Sequence, residues 1–289
     1  MALYSSVKLT PPPSLPEETK FHRHIELVVD RSGSMKSFGD SIAPTLNEFI
    51  SAQKHQEYQE IQNLKKIINT LSENEEKNTK VTELQNLENH TVSTINLTTF
   101  DNLVEQPWCT TEQSILLRIT EAEVQPEDVK PRGMTALFDA MYNACNNISE
   151  MEANKTCDFK SIIVTMTDGQ ENNSKTSHTT LTEKIKKLTD NGVTFMFLAA
   201  NQDAITEASK MGISTANALN VGTTQENYRN AMRAVSENIS RTRTGDSAGF
   251  SGLERVESST TRSVERSQTE PQEVHTLEHS SPISILRRQ

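Results

Sequence analysis

Asp30-Arg31-Ser32-Gly33-Ser34 places a carboxylate and two hydroxyls at alternating positions, directly after the apolar run Ile25-Glu26-Leu27-Val28-Val29. A strand that ends in this way turns three hard oxygen ligands toward one point beyond a sheet edge. Hydroxyls and carboxylates suit Mg²⁺, Mn²⁺ or Ca²⁺, whereas a Zn²⁺ site usually recruits His or Cys. Two more oxygen ligands follow later in the chain. Thr135, in Gly133-Met134-Thr135, opens a helix-like stretch, and Asp168, in Thr167-Asp168-Gly169, closes a second apolar run from Ser161 to Met166. Taken singly, Asp-x-Ser-x-Ser also fits an Asx-turn or a helix N-cap, and Thr135 also fits an N-cap. Order and context separate the readings: Asp30 and Asp168 both fall at the carboxyl ends of expected central strands, where open α/β sheets hold their ligands.

Strands and amphipathic stretches must position these groups. Strands are expected at 24–30, 92–100, 161–167, 193–200 and 218–221, with 102–107 as a short antiparallel edge. Helices are expected at 41–53, 135–148, 180–190, 204–211 and 227–241. Alternating strands and helices specify an α/β fold with a doubly wound, mostly parallel sheet flanked by helices. The unbroken apolar run at 161–167 is what a parallel strand covered on both faces needs. Between the first helix and the second strand, Ile61, Leu64, Ile68 and Leu71 fall at 3-4-3 spacing, and Val81, Leu84 and Leu87 repeat it. The spacing predicts a helical insertion over about 55–90, either packed on itself or acting as an arm for a partner or second copy.

Together Asp30, Ser32, Ser34, Thr135 and Asp168 resemble the metal-ion-dependent adhesion site (MIDAS) of von Willebrand factor A (vWA) domains, whose pattern is Asp-x-Ser-x-Ser, then Thr, then Asp-Gly. The segments 131–140, 167–172 and 197–204 are similar to a stand-alone intracellular branch of that family found in bacteria and phages, and the likeness spans roughly 22–242. The insertion departs from it, because that branch usually has a short loop there. The resemblance implies a vWA, Rossmann-like fold in which Ser32, Ser34 and Thr135 ligate Mg²⁺ (Mn²⁺ or Ca²⁺ in its place) directly. Asp30 and Asp168 would bind the ion or hold its waters. It further implies an open coordination position that accepts an acidic side chain from a partner protein, and an adaptor or scaffold role beside AAA+ ATPases or other assembly machinery. Glu171 and Asp203, on neighbouring loops, are candidates to support the ligands.

Composition bounds the rest. Hydrophobic residues are 34% of the 289, a deficit concentrated in the Pro-rich segment 1–20 and the Ser/Thr-rich stretch 244–289, which is expected to be disordered. Residues 21–243 form the expected domain. Formal charge is −10, and from Arg241 onward seven basic residues balance seven acidic ones, so the excess lies upstream. An acidic body with no basic patch speaks against nucleic acid as a partner. No apolar run approaches the ~18 residues of a membrane span, and the first residues lack a secretory layout. Three cysteines without metal-like spacing fit reduced thiols in the cytoplasm. His22 and His24 read as ordinary residues opening the first strand. No phosphate loop, no Gly-x-Ser-x-Gly and no evident general base point to an enzyme. A metal-assisted phosphatase or nuclease and a structural protein working through the 55–90 arm are the alternatives.

Overall fold

The computed structural model describes residues 15, 18–109, 117–244 and 249–260. The expectations on most of segment 1–20 and on the tail beyond 260 lie outside the described residues. The central strand β1 (Phe21–Asp30) pairs in parallel with β2 (Thr91–Phe100) on one side and β5 (Asp158–Thr167) on the other. Beyond β5 come β6 (Thr194–Ala200) and β7 (Ala218–Val221), also parallel. The outer edge of β2 carries two short antiparallel strands, β3 (Val104–Glu105) and β4 (Leu117–Arg118). With β4 set aside, the remaining six strands, counted along the chain, lie in the order 3-2-1-4-5-6, the doubly wound arrangement. The order in which strands are added reverses between β1 and β5, so the crevice at the carboxyl ends of these two parallel strands is the place for a ligand.

Each face of the sheet buries its own cluster. Ile25, Leu27 and Val29 of β1 pack under α1 (Ile42–Thr70) and α6 (Gln225–Thr244), together with Phe38, Leu46 and Val235. Val28 faces the other way, with Phe100, Ile163 and Phe197, toward α3 (Leu137–Ala153), α4 (His178–Asp190) and α5 (Ala204–Lys210). Burial on both faces explains the near-continuous apolar strands.

Polar residues interrupt that second face. Glu26, fully buried, accepts hydrogen bonds from Asn96 Nδ2 at 3.0 Å and Thr98 Oγ1 at 2.8 Å. His24 Nε2 lies 3.2 Å from the same carboxylate, and Thr94 Oγ1 bridges His22 and His24 at 2.7 and 2.8 Å. Burial lowers the His22 pKa to about 3, with His24 adding to the effect, so His22 is a neutral hydrogen-bonding ring. The two histidines thus belong to a buried polar ladder joining β1 to β2.

The insertion is a helical hairpin. The first helix continues unbroken to Thr70, 29 residues in all, or about 43 Å against about 33 Å for a ten-residue strand. Its distal end, beyond Glu60, therefore overhangs the sheet, and α2 (Glu75–Asn89) returns along it, tied by Lys65–Glu88 at 2.7 Å. Arg23 anchors the helix to β1 through a two-pronged pair with Glu60 at 2.9 and 3.1 Å. No residue of α2 is buried, while Tyr58 and Ile67 stay exposed.

The stretch after 243 begins differently from the expected disorder. Residues 252–259 form α7, opened by a Ser251/Glu254 capping box. It covers the free edge of β7: Ser258 O accepts from Gly222 N at 2.8 Å, and Arg255 Nη1 donates to Ala218 O at 2.7 Å. Arg241 clasps Glu254 through both guanidinium nitrogens at 3.0 Å.

Tyr228 of α6 is fully buried against Phe38, with ring centroids 5.1 Å apart, and its hydroxyl has no hydrogen-bond partner among the described residues. Tyr228→Phe removes an unsatisfied polar atom while keeping the ring, so chemical denaturation should find it unchanged or about 1 kcal/mol more stable. Tyr228→Ala should lose roughly 3–5 kcal/mol. A clear loss in Tyr228→Phe would mean that the hydroxyl is bonded after all.

Candidate metal centre

The parallel register lays the end of β1 beside the end of β5. Asp30, with no exposed surface, accepts Ser32 N at 2.6 Å on Oδ1 and Thr167 Oγ1 at 2.6 Å on Oδ2. The first bond bends the chain just past β1 so that Ser32 and Ser34 follow on one side. Their hydroxyl oxygens lie 3.0 Å apart, and Ser34 Oγ donates to Asp168 Oδ1 at 2.6 Å. Ser34 is exposed, whereas Ser32 and Asp168 are buried.

Thr135 arrives from the loop before α3. A Cβ built on Gly169 would stand 3.0 Å from Thr135 Oγ1 and 3.5 Å from Ser34 Oγ. Both hydroxyls therefore flank the same point, and glycine at 169 keeps that point open. Gly133 is needed for a different reason: its φ is +69°, and a Cβ there would meet Asn102 Oδ1 at 2.4 Å. All five residues singled out in the sequence are thus joined by hydrogen bonds or by this common approach at the switch point.

Several groups hold the loops. Asp101, buried, accepts Arg31 Nε at 3.1 Å and Arg132 Nε at 2.6 Å, and its carbonyl accepts Ala136 N at 2.8 Å. Both arginines also pair with Glu105. Burial would raise the Asp101 pKa, but the bonds from Arg132 and Leu103 N and the two guanidinium charges hold it below the usual range. On the far side, Asn172 and Thr135 exchange bonds: Thr135 N donates to Asn172 Oδ1 at 3.0 Å and Asn172 N to Thr135 O at 3.1 Å. Glu171 gathers Phe138 N, Asn173 N and Ser174 N, and so fastens the 171–174 loop to the start of α3. Asp203 caps α5 through Ile205 N and Thr206 N. Glu171 acts on the loop that carries Thr135; Asp203 serves its own helix.

Electrostatics mark the same spot. Burial, with the nearby Asp168 charge, raises the Asp30 pKa to about 6 against the bonds from Thr167 and Ser32. Burial also raises that of Asp168, against the bond from Ser34. Asp168 Oδ2 is buried with no hydrogen-bond partner among the described residues. A buried, unpaired carboxylate oxygen is costly, and a cation would satisfy it. The donor set of two carboxylates and three hydroxyls suits a hard divalent ion; the described residues contain no group of three His, Cys, Asp or Glu that could hold a metal, so the hydroxyls would have to complete the set. The residues present therefore fit Mg²⁺, Mn²⁺ or Ca²⁺.

No family model matches the chain, and no curated protein matches it. Solved structures do. Proximal thread matrix protein 1 from the mussel byssus with a zinc-occupied MIDAS motif is 17% identical over 76% of this chain and 48% of its own, with a TM-score of 0.45. A von Willebrand factor type A structure from Catenulispora acidiphila is 14% identical over 75% and 43%, at 0.41. A point mutant of the PilB minor pilin from Streptococcus sanguinis is 11% identical over 78% and 63%, at 0.47. This chain spans less than half the length of the mussel protein, 46–48% across its three structures. The fold assignment rests on the strand order, and the site on its own geometry.

One supporting group lies in the 197–204 segment of the resemblance but was given no role there. Asn201, just after β6, has φ +56°, a left-handed conformation that no other non-glycine residue among the described ones adopts. Its Nδ2 donates to Asp168 O at 3.3 Å, and the next side chain, Gln202, donates to Gly169 O at 3.2 Å. Asn201→Gly accepts that φ freely but removes the clamp. It should leave the melting temperature in EDTA unchanged or raised, while hydrogen exchange at residues 168–170 accelerates and the affinity for Mg²⁺ falls about tenfold. Unchanged exchange and affinity would show that the turn is held without Asn201.

Proposed function

We propose that this chain is a divalent-metal-dependent protein-binding module of the vWA type, with Mg²⁺ as the preferred ion. The observation that carries the reading is the buried, unpartnered Asp168 Oδ2, on a carboxylate whose other oxygen accepts from Ser34, with Ser32 beside Ser34 and Thr135 against Gly169 at the topological switch point. Ser32, Ser34 and Thr135 would hold the ion directly. Asp168 would contribute its free oxygen, and Asp30, both of whose oxygens already accept hydrogen bonds, would chiefly orient the loop and the ion's waters. When bound, the ion would supply a positive charge beside the exposed Ser34, and a partner's Asp or Glu would complement that charge.

The surrounding groups favour binding over catalysis. The neighbouring acids Glu171, Asp139 and Asp203 are each engaged by backbone amides, so none of these three stands free as the general base of a metal-assisted hydrolase. A net charge of −10 disfavours nucleic acid as the partner. No helix among the described residues is long and apolar enough to cross a membrane. The sequence resemblance adds a cytoplasmic setting and machinery of the AAA+ ATPase class as the kind of partner to try. An assembly role through the α1–α2 hairpin is the second reading, favoured by exposed Tyr58 and Ile67. Deleting the hairpin while keeping the metal site separates it from the first.

Thermal unfolding in EDTA, Mg²⁺, Mn²⁺ and Ca²⁺ tests the metal reading. An ion at a hundredfold excess over its Kd should add about 2.7 kcal/mol. Asp168→Asn and Gly169→Ala, which crowds Thr135 and Ser34, should abolish the shift while retaining most of the stability measured in EDTA. The absence of a shift with every ion would overturn it.

A further inference from the structure

Exposed apolar side chains stand beside polar ones on the segments that frame the candidate metal centre. Of the eight exposed large hydrophobic side chains among the described residues, three sit there: Leu103 at 52% exposure, Met134 at 50% and Ile205 at 37%. They come from three separate segments, the β2–β3 turn, the loop before α3 and the first turn of α5. The same bonds that build the site bring these segments together. Leu103 N donates to Asp101 Oδ1 at 2.8 Å, and Asp101 O accepts from Ala136, two residues after Met134. Ile205 follows the Asn201–Gln202 pair that holds the carbonyls of Asp168 and Gly169. Local folding does not require these side chains to be exposed, and single exposed hydrophobics elsewhere on the surface carry no such coincidence.

We propose that this rim is a docking surface for a protein segment in which an acidic side chain is flanked by large apolar residues. The proposal rests on the metal reading, which supplies the charge that complements the acid. A carboxylate reaching an ion from open water gains little specificity; apolar neighbours that close over Leu103, Met134 and Ile205 exclude water from that contact and strengthen it. Charges at the rim leave room for an acid. Asp203 is turned onto the α5 amides, and Arg132 is held by Asp101 and Glu105.

The test is selection of random linear peptides displayed on phage against the full chain in Mg²⁺, with elution by EDTA. The eluted peptides should share an Asp or Glu next to Leu, Ile, Met or Phe. A synthetic peptide of the recovered consensus should bind Leu103→Ser and Ile205→Ser about tenfold more weakly, while the Mg²⁺-dependent thermal shift of both variants stays as in the parent chain. Acidic peptides without apolar neighbours, unchanged affinity in both variants, or no EDTA-eluted peptide despite a normal thermal shift would overturn the rim. Failure of the metal reading looks different, because the parent chain would then show no thermal shift in Mg²⁺.

Discussion

The carboxylate of Asp30 is buried at the end of the central strand, and everything at the site follows from how it is satisfied. One oxygen takes the amide of Ser32 and the other the hydroxyl of Thr167, each at 2.6 Å. The first bond makes the tight turn that presents Ser32 and Ser34. The second ties the end of β1 to the end of β5, which the parallel register has already brought alongside. A buried carboxylate without those donors would carry a desolvation cost of several kcal/mol, so turn and strand end form as a unit. Asp168 leaves the same strand end one residue later and is therefore carried to the same place.

A second set of charges holds the other half of the site. Arg31 alternates with Asp30 and Ser32 along the turn, and its side chain lies against Asp101 instead of the metal ligands. Arg132 converges on the same carboxylate from the loop before α3. Two guanidinium groups around Asp101, closed by Glu105, connect four points in the chain. Buried ion pairs are poor sources of net stability but costly to leave half-made, which makes them good devices for fixing loop positions. The loop carrying Thr135 is fastened in this way on one side and by Glu171 and Asn172 on the other.

The sequence made the sheet and the ligands legible because both depend on short-range patterns. Apolar runs identified the parallel strands, and alternating Asp-Ser-Ser followed by Thr and Asp-Gly marked the five oxygens that the structure brings together. What stayed hidden depends on distant partners. Two-residue β4 has no periodicity to detect. The helix over 252–259 lies in polar sequence and is stabilised by Arg241, Asn227 and the edge of β7; its Ser251/Glu254 capping box was the one local clue. The helical insertion over about 55–90 was legible in its 3-4-3 spacing, and it takes the form of an extension of α1 with α2 returning along it. Glu26 stood unmarked in the apolar run 25–29, because its donors on β2 and α3 are distant in the sequence. Asn201 could not be found at all, since its significance lies in a backbone angle.

Burial divides the candidate centre by role. Asp30, Ser32, Thr135 and Asp168 are all at most 3% exposed, while Ser34 and the rim residues Leu103 and Met134 face solvent. Groups that must hold an ion need a rigid, dry setting, and that setting is made from strand ends and interlocked loops. Groups that meet a partner need exposure and little internal obligation. Ser34 stands at the junction, donating inward to Asp168 while lying at the surface. Occupation of the centre by a cation would remove the need for that inward bond, since the ion replaces the hydroxyl proton as the partner of the carboxylate. On the proposed reading, metal binding would therefore act through the one exposed member of the ligand set, and a change at Ser34 would alter both the ion's site and the surface beside it.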